Sequence, residues 1–207
     1  MEFLFFVAIL IFSIVIHEFS HGAVANSLGD PTAKEAGRLT LNPIKHLDPV
    51  GSVILPILLI FTTGKGIGWA KPVPINPNNF RDQKYGSFKV ALAGPVSNLM
   101  IALMFGLFLR VLLSFDFVSL NLYSIFSFII SVNLILAVFN LIPIPPLDGS
   151  YILFTFLPYS AQRIKIFLSQ FGFLILIFLI FLFPPFFKIL IYLVNGIFTL
   201  IVGVPPL

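Results

Sequence analysis

An apolar run from Phe3 to Ile16 leads without a break into His17-Glu18-Phe19-Ser20-His21. A stretch of that kind reads as a membrane-crossing helix. The chain therefore carries an HExxH sequence into or beside hydrocarbon, where each polar group is costly unless it is paired or bound. On a helix, His17 and His21 lie one turn apart on the same face and offer two imidazole nitrogens to one metal. Glu18 sits beside them, where a carboxylate can take a proton from a water activated by that metal.

Composition bounds the setting. Of 207 residues, 58% are hydrophobic, 10% are charged and 26 are phenylalanine, with a mean hydropathy of +1.07. Soluble domains carry about 25% charged residues, so this is an all-α polytopic membrane protein whose first partner is the lipid bilayer. The net charge of +4 is not gathered on a soluble domain, which argues against nucleic acid and makes the basic residues topology signals. Cysteine is absent, so a metal must be held by histidine and carboxylate. Met1-Glu2-Phe3 lacks a basic n-region and the run leads into HExxH rather than a cleavage site, so the first helix is expected to be retained.

Apolar stretches occupy 3–25, 50–61, 87–113, 118–142, 166–183 and 186–203. Five approach or exceed the roughly 20 residues needed to cross, the last two being separated by Pro184-Pro185, where they can tilt or bend. The stretch 50–61 contains Pro56, and even a full helix there would reach only about 18 Å. It is expected to be re-entrant or tucked against the other helices, giving five spans plus a short partial segment. Six transmembrane helices are the alternative. With five spans, Lys34, Arg38, Lys45, Lys65, Lys71, Arg81, Lys84, Lys89, Arg163 and Lys165 lie on one side or at its border, against Arg110 and Lys188 towards the other. A crossing at 50–61 would move Lys34, Arg38 and Lys45 to the other side and dilute that bias. The positive-inside rule therefore favours five spans, with the basic loops in the cytoplasm.

A third metal ligand must be His, Asp or Glu at the same depth. Asp148 follows the 118–142 stretch through Asn140-Leu141-Ile142-Pro143-Ile144-Pro145-Pro146-Leu147 and precedes Gly149. The prolines stop the helix, and glycine permits a close or unusual backbone path beside the carboxylate. A proline-rich turn ending in Asp-Gly also occurs as an ordinary loop. Topology separates the two readings: with five spans, the helix bearing His17 and His21 and the one leading to Asp148 end on the same face, and with six they do not.

Taken together, these residues resemble the site-2 protease family of intramembrane zinc metalloproteases in its compact form, without a PDZ or CBS domain. The resemblance rests on His17 to His21, on Ala93-Gly94-Pro95-Val96-Ser97-Asn98 and on Phe139 through Gly149. It also includes Gly37 to Pro43, His46-Leu47-Asp48-Pro49 and Gly68 to Pro74. It implies one Zn2+ held by His17, His21 and Asp148, with Glu18 as the catalytic glutamate. The implied reaction is hydrolysis of peptide bonds in transmembrane or membrane-proximal segments of a protein substrate. Family members with an additional helix before HExxH are known, whereas this sequence opens on the HExxH helix. The motifs cover residues 13–160, so 1–207 is read as one membrane-embedded domain with a catalytic core at 1–160 and accessory helices at 161–207. A prokaryotic plasma membrane, with the site towards the cytoplasm, is the expected location.

Further residues carry double readings. Asn140 is a candidate to hold substrate backbone or an oxyanion, or else to cap its helix. His46 is a candidate gate or indirect support for the metal, or else an interfacial histidine bonded to nearby backbone. Asn98 draws attention through its Gly94-Pro95 context, while Asn133 reads as interhelical glue. Trp69 reads as an interfacial anchor and Arg110 as a snorkelling side chain. The Pro/Gly-rich region 62–78 offers an edge for an extended substrate, weakened where proline removes the donor. The competing functions are a metal-dependent transporter or metal-binding membrane protein using the same ligands, and a catalytically silent scaffold.

Overall fold

The computed structural model describes residues 2–48, 51, 71–115 and 118–206. The stretch 50–61 apart from Gly51, residues 62–70 of the candidate edge, and Trp69 with them, lie outside these. The described residues form helices α1 (Glu2–Ser27), α2 (Thr32–Glu35), α3 (Gly86–Ser114), α4 (Leu120–Asn140), α5 (Asp148–Phe156), α6 (Gln162–Leu182) and α7 (Pro184–Val202). No strand occurs among the described residues. Five helices, α1, α3, α4, α6 with its lead-in from Tyr159, and α7, are long and apolar enough to cross a membrane. Helices satisfy their own backbone groups, the requirement that hydrocarbon imposes on any spanning segment. Helix α4 starts where Ser119 accepts the amide hydrogen of Leu122 and stops at the prolines after Leu141. Helix α7 starts on Pro184-Pro185 and closes on Gly203 at φ 94°.

Helices α1 and α3 pack antiparallel. His21 meets the Val90 carbonyl and Asn98 meets that of Ser13, so the end of α1 lies against the start of α3. Leu28 and Tyr85, which flank these two helices, therefore lie at the same end of the bundle, as the five-span reading requires. A net crossing would make the two helices parallel. The return is tied by Arg81 N–H donating to the Leu28 carbonyl at 2.8 Å. Asp30 is fully buried and accepts hydrogen bonds from Thr32, the Asn76 amide and Asn79 Nδ2. Burial works against its ionisation, but those donors outweigh it and hold the carboxyl below the ordinary carboxylate range.

The apolar core joins Ala102 and Leu109 of α3, Ile130 and Leu134 of α4, and Val194, Phe198, Ile201 and Val202 of α7. Gly106 makes room for this seam, since a Cβ there would meet Ile201 Cγ2 at 2.5 Å. The end of α7 gives a result that alternating crossings do not anticipate. Tyr123, in the first turn of α4, donates to the Pro205 carbonyl, and Gly203 lies beside Arg110 near the far end of α3. The chain enters α6 from the opposite end, where Phe156 packs against Phe88 with ring centroids 5.3 Å apart. Helices α6 and α7 thus make one net passage between them, with the break at Phe183-Pro184. Lys188, near the start of α7, accordingly belongs with the basic end rather than with Arg110.

Because the chain has no cysteine, single cysteines report topology cleanly. Glu35→Cys and Val204→Cys should react with an impermeant thiol reagent from opposite faces of sealed vesicles; labelling from the same face would contradict the single net passage. Asp30→Asn should destabilise by about 1–3 kcal/mol at neutral pH through loss of a buried charged acceptor. The native carboxylate has a lowered folded-state pKa, so its contribution is present above the unfolded value near 3.9 and is lost as pH falls through the folded one. The gap in thermal midpoint between wild type and variant should close accordingly in acid.

Candidate metal centre

Three elements meet at one end of the bundle. His17 and His21 are both 6% exposed near the end of α1, and Asp148 is the first residue of α5. His17 Nε2 and His21 Nε2 each lie 3.2 Å from Asp148 Oδ2 and 3.1 Å from one another. The far ring nitrogens fix what these atoms are. His21 Nδ1 is 2.7 Å from the Val90 carbonyl, which only accepts, so Nδ1 carries the proton and Nε2 presents a lone pair. His17 Nδ1 is 2.6 Å from Asn98 Oδ1, with the same consequence. Asp148 Oδ2 is buried and, apart from the two imidazoles, meets no hydrogen-bond partner among the described residues.

Three electron-rich atoms brought this close together make a group able to hold a metal ion. Ligands about 2.0–2.1 Å from a tetrahedral zinc are about 3.3–3.4 Å apart, close to the edges of this triangle. Two imidazoles and one carboxylate also match the donor set of hydrolytic zinc sites that keep a position open.

Glycines make the convergence sterically possible. A Cβ on Gly94 would sit 2.6 Å from His17 Nε2 and closer still to His21 Nε2. One on Gly149 would run into the Leu141 and Ile142 carbonyls, so glycine lets the start of α5 fold back on the end of α4 and bring Asp148 inward.

Beside the triangle is a cleft of about 330 Å³, bounded by the histidines, Glu18, the segment around Pro72 to Ile75, Asn140 and Tyr151. Glu18 Oε2 accepts the amide hydrogen of Val73 at 2.8 Å, which aims the carboxylate into the cleft. Asn140 also lines it, with Nδ2 donating to the Leu136 carbonyl at 2.9 Å. His46 is not brought to the cleft. It is 2% exposed in the 3-10 turn Pro43–His46, where Nε2 donates to the Thr40 carbonyl and its own carbonyl accepts from Lys71. With Arg38 Nη2 on the Lys71 carbonyl, it braces the entry to the extended segment. Sequence reasoning missed Val73 and Tyr151. Tyr151 follows Asp148 by three residues, a spacing that puts both on one helix face. The Val73 contact has no sequence signal because it uses the backbone.

A membrane-embedded site of two histidines and an aspartate, with a glutamate beside it, defines a class of metallohydrolase. Comparison with known proteins agrees. Residues 111–179, which include Asp148, match the model of peptidase family M50. The chain is 40% identical over 177 residues to YwhC of Bacillus subtilis, named as a candidate zinc metalloprotease, covering 83% of this chain and 77% of that one. It is 34% identical over 179 residues to Rip2 of Mycolicibacterium smegmatis, which carries the same description, covering 86% and 67%. For Rip2 of Mycobacterium tuberculosis the figures are 33% over 171 residues, 83% and 63%. No solved structure matches the chain. The chain belongs to peptidase family M50, the zinc metalloendopeptidases of the site-2 protease type.

Gly94→Ala isolates the steric requirement, since alanine is otherwise the better helix former. The variant should fold yet lose at least tenfold in zinc affinity, measured by chelator competition; unchanged affinity would mean that the ligands do not need this approach.

Proposed function

We propose that this protein hydrolyses peptide bonds in transmembrane or membrane-proximal segments of membrane protein substrates, using one zinc ion and Glu18 as general base. The observation that carries the reading is the convergence of His17 Nε2, His21 Nε2 and Asp148 Oδ2 within 3.2 Å, next to a cleft that Glu18 faces. Zinc held by these three residues supplies Lewis acidity, lowering the pKa of water and polarising a carbonyl. Glu18 takes the proton of the attacking water and returns it to the departing amine. The Val73 N–H keeps that carboxylate turned into the cleft between the two transfers.

A substrate helix must unwind locally, since its amides are otherwise bonded within the helix. The segment around Pro72 to Ile75 offers an extended backbone beside the cleft. Pro72 and Pro74 lack donors and Val73 donates to Glu18, so pairing there runs through carbonyls and the Ile75 N–H. Asn140, whose amide lines the cleft and has one hydrogen bond among the described residues, holds the substrate backbone or the developing oxyanion. His46 acts at a distance by bracing Lys71, and so supports the segment rather than the metal. Residues 1–160 form the catalytic core, with α6 and α7 as supports: Gly172 of α6 packs on Pro145, in the turn that delivers Asp148. The site faces the cytoplasm of a prokaryotic plasma membrane, in keeping with the basic residues gathered at its end of the bundle.

The transporter reading has less support. A transport path needs polar groups on both sides of the ion, whereas Arg110, at the far end, is directed at the Leu200 and Ile201 carbonyls of α7.

Glu18→Gln should retain zinc while lowering cleavage of a helical membrane substrate in liposomes by about 10²–10⁴-fold; turnover near wild type would remove Glu18 as the base. In the same preparation, Asp148→Asn should weaken zinc retention, and unchanged affinity would remove Asp148 from the ligand set.

A further inference from the structure

The two histidines are held by different means. His21 Nδ1 meets a backbone carbonyl, that of Val90, whose position is set by the helix itself. His17 Nδ1 meets a side-chain amide, and an amide can present either its oxygen or its nitrogen. Something must choose, because an Asn98 turned the other way would place N–H groups against His17 and reverse the ring's preference.

We propose that Asn98, Asn133 and Ser13 form a polarised relay that fixes which nitrogen of His17 faces the metal, with Asn98 and Asn133 as positioning residues. Asn133 Nδ2 donates to the Ile129 carbonyl at 2.8 Å and to Ser13 Oγ at 3.0 Å. Its Oδ1 therefore points the other way and accepts from Asn98 Nδ2 at 2.9 Å. Asn98 Nδ2 also donates to the Ser13 carbonyl at 3.2 Å. Two backbone carbonyls, which can only accept, thus set the direction of both amides, and Asn98 Oδ1 is left to accept from His17 Nδ1.

All four amide hydrogens are used. Reversing either amide would set oxygen against oxygen at Ser13 or Ile129, with no water to relieve it, since Asn98 and Asn133 are both 0% exposed. The residues come from three helices, yet each stands in register with the site: Ser13 is one turn before His17 on α1, and Asn98 one turn after Gly94 on α3. Simple glue between helices needs a hydrogen bond of either polarity. A relay that ends on a metal-ligating imidazole needs this one, because the outer partner of such a histidine sets its tautomer and basicity.

The proposal rests on His17 being a ligand, and the test separates the two claims. Zinc affinity of the purified full-length chain is measured by chelator competition for wild type, Asn98→Leu, Asn133→Leu and the double variant, with thermal midpoints of the metal-free proteins as a folding control. Asn98→Leu should weaken zinc about 10–100-fold. Asn133→Leu should weaken it about tenfold in the wild-type background and not at all in the Asn98→Leu background, because its effect passes through Asn98. Losses that multiply in the double variant, or an Asn133→Leu affinity equal to wild type, would overturn the relay.

A measurement on the unmodified chain covers the case in which the leucine variants do not fold. With three histidines in the sequence, ¹⁵N-histidine spectra of the zinc-loaded wild type should show His17 metallated at Nε2, with a slowly exchanging proton on Nδ1. Coordination through Nδ1 would overturn the relay. Zinc binding that survives His17→Ala would overturn the ligand assignment itself.

Discussion

Three lone pairs forced within 3.2 Å of one another, in a protein whose surroundings are hydrocarbon, form the constraint on which the rest of this structure depends. Left to themselves, two neutral imidazoles and a carboxylate would separate or take up protons. They stay together because each is held from behind: His21 by a carbonyl, His17 by Asn98, and Asp148 by the turn that starts α5. Held in this way, the three side chains form a group able to hold a metal ion.

Much of the bundle is arranged around that triangle. Helix α3 approaches α1 so closely that residue 94 has no room for a side chain, and the proline turn after α4 folds back so tightly that residue 149 has none either. Opposite the ligands, the segment after Lys71 crosses the cleft and contributes an amide to Glu18. That segment is itself held by buried polar groups: Arg38 and His46 at its start, Asp30 further along. Buried charge thus sits where extended backbone must be kept in place, a task that apolar packing alone does poorly.

Away from the site the logic is apolar and different. Phe198 and its neighbours on α7 fill the seam between α3 and α4, and Arg110 lies against the last carbonyls of α7. With α6 and α7 together making one passage, Lys188 joins the basic end and, among the described residues, Arg110 stands apart from the other basic side chains. The charge asymmetry read from the sequence is thereby stronger than alternating crossings would have it.

The sequence by itself determined the solvent, the helices and which three residues, His17, His21 and Asp148, come together as a group able to hold a metal. Hydropathy marks segments whose only stable form in lipid is helical, and the HExxH spacing places two histidines on one face whatever the rest of the chain does. Asp148 was legible because a proline-rich stop and a glycine flank the one acidic residue that could share that depth. Only the tertiary structure decided what approaches from another helix: Val73 on Glu18, Tyr151 in the cleft, Asn133 behind Asn98, and the end at which α7 stops. It also placed His46, read as a gate, an indirect support or a histidine bonded to nearby backbone, against the Thr40 carbonyl and the Lys71 amide. These differ from the legible features in one physical respect. They are contacts between segments distant in the chain, several of them made by backbone atoms, and a backbone amide is the same group at every residue but proline, so nothing in the letters marks the one that is used.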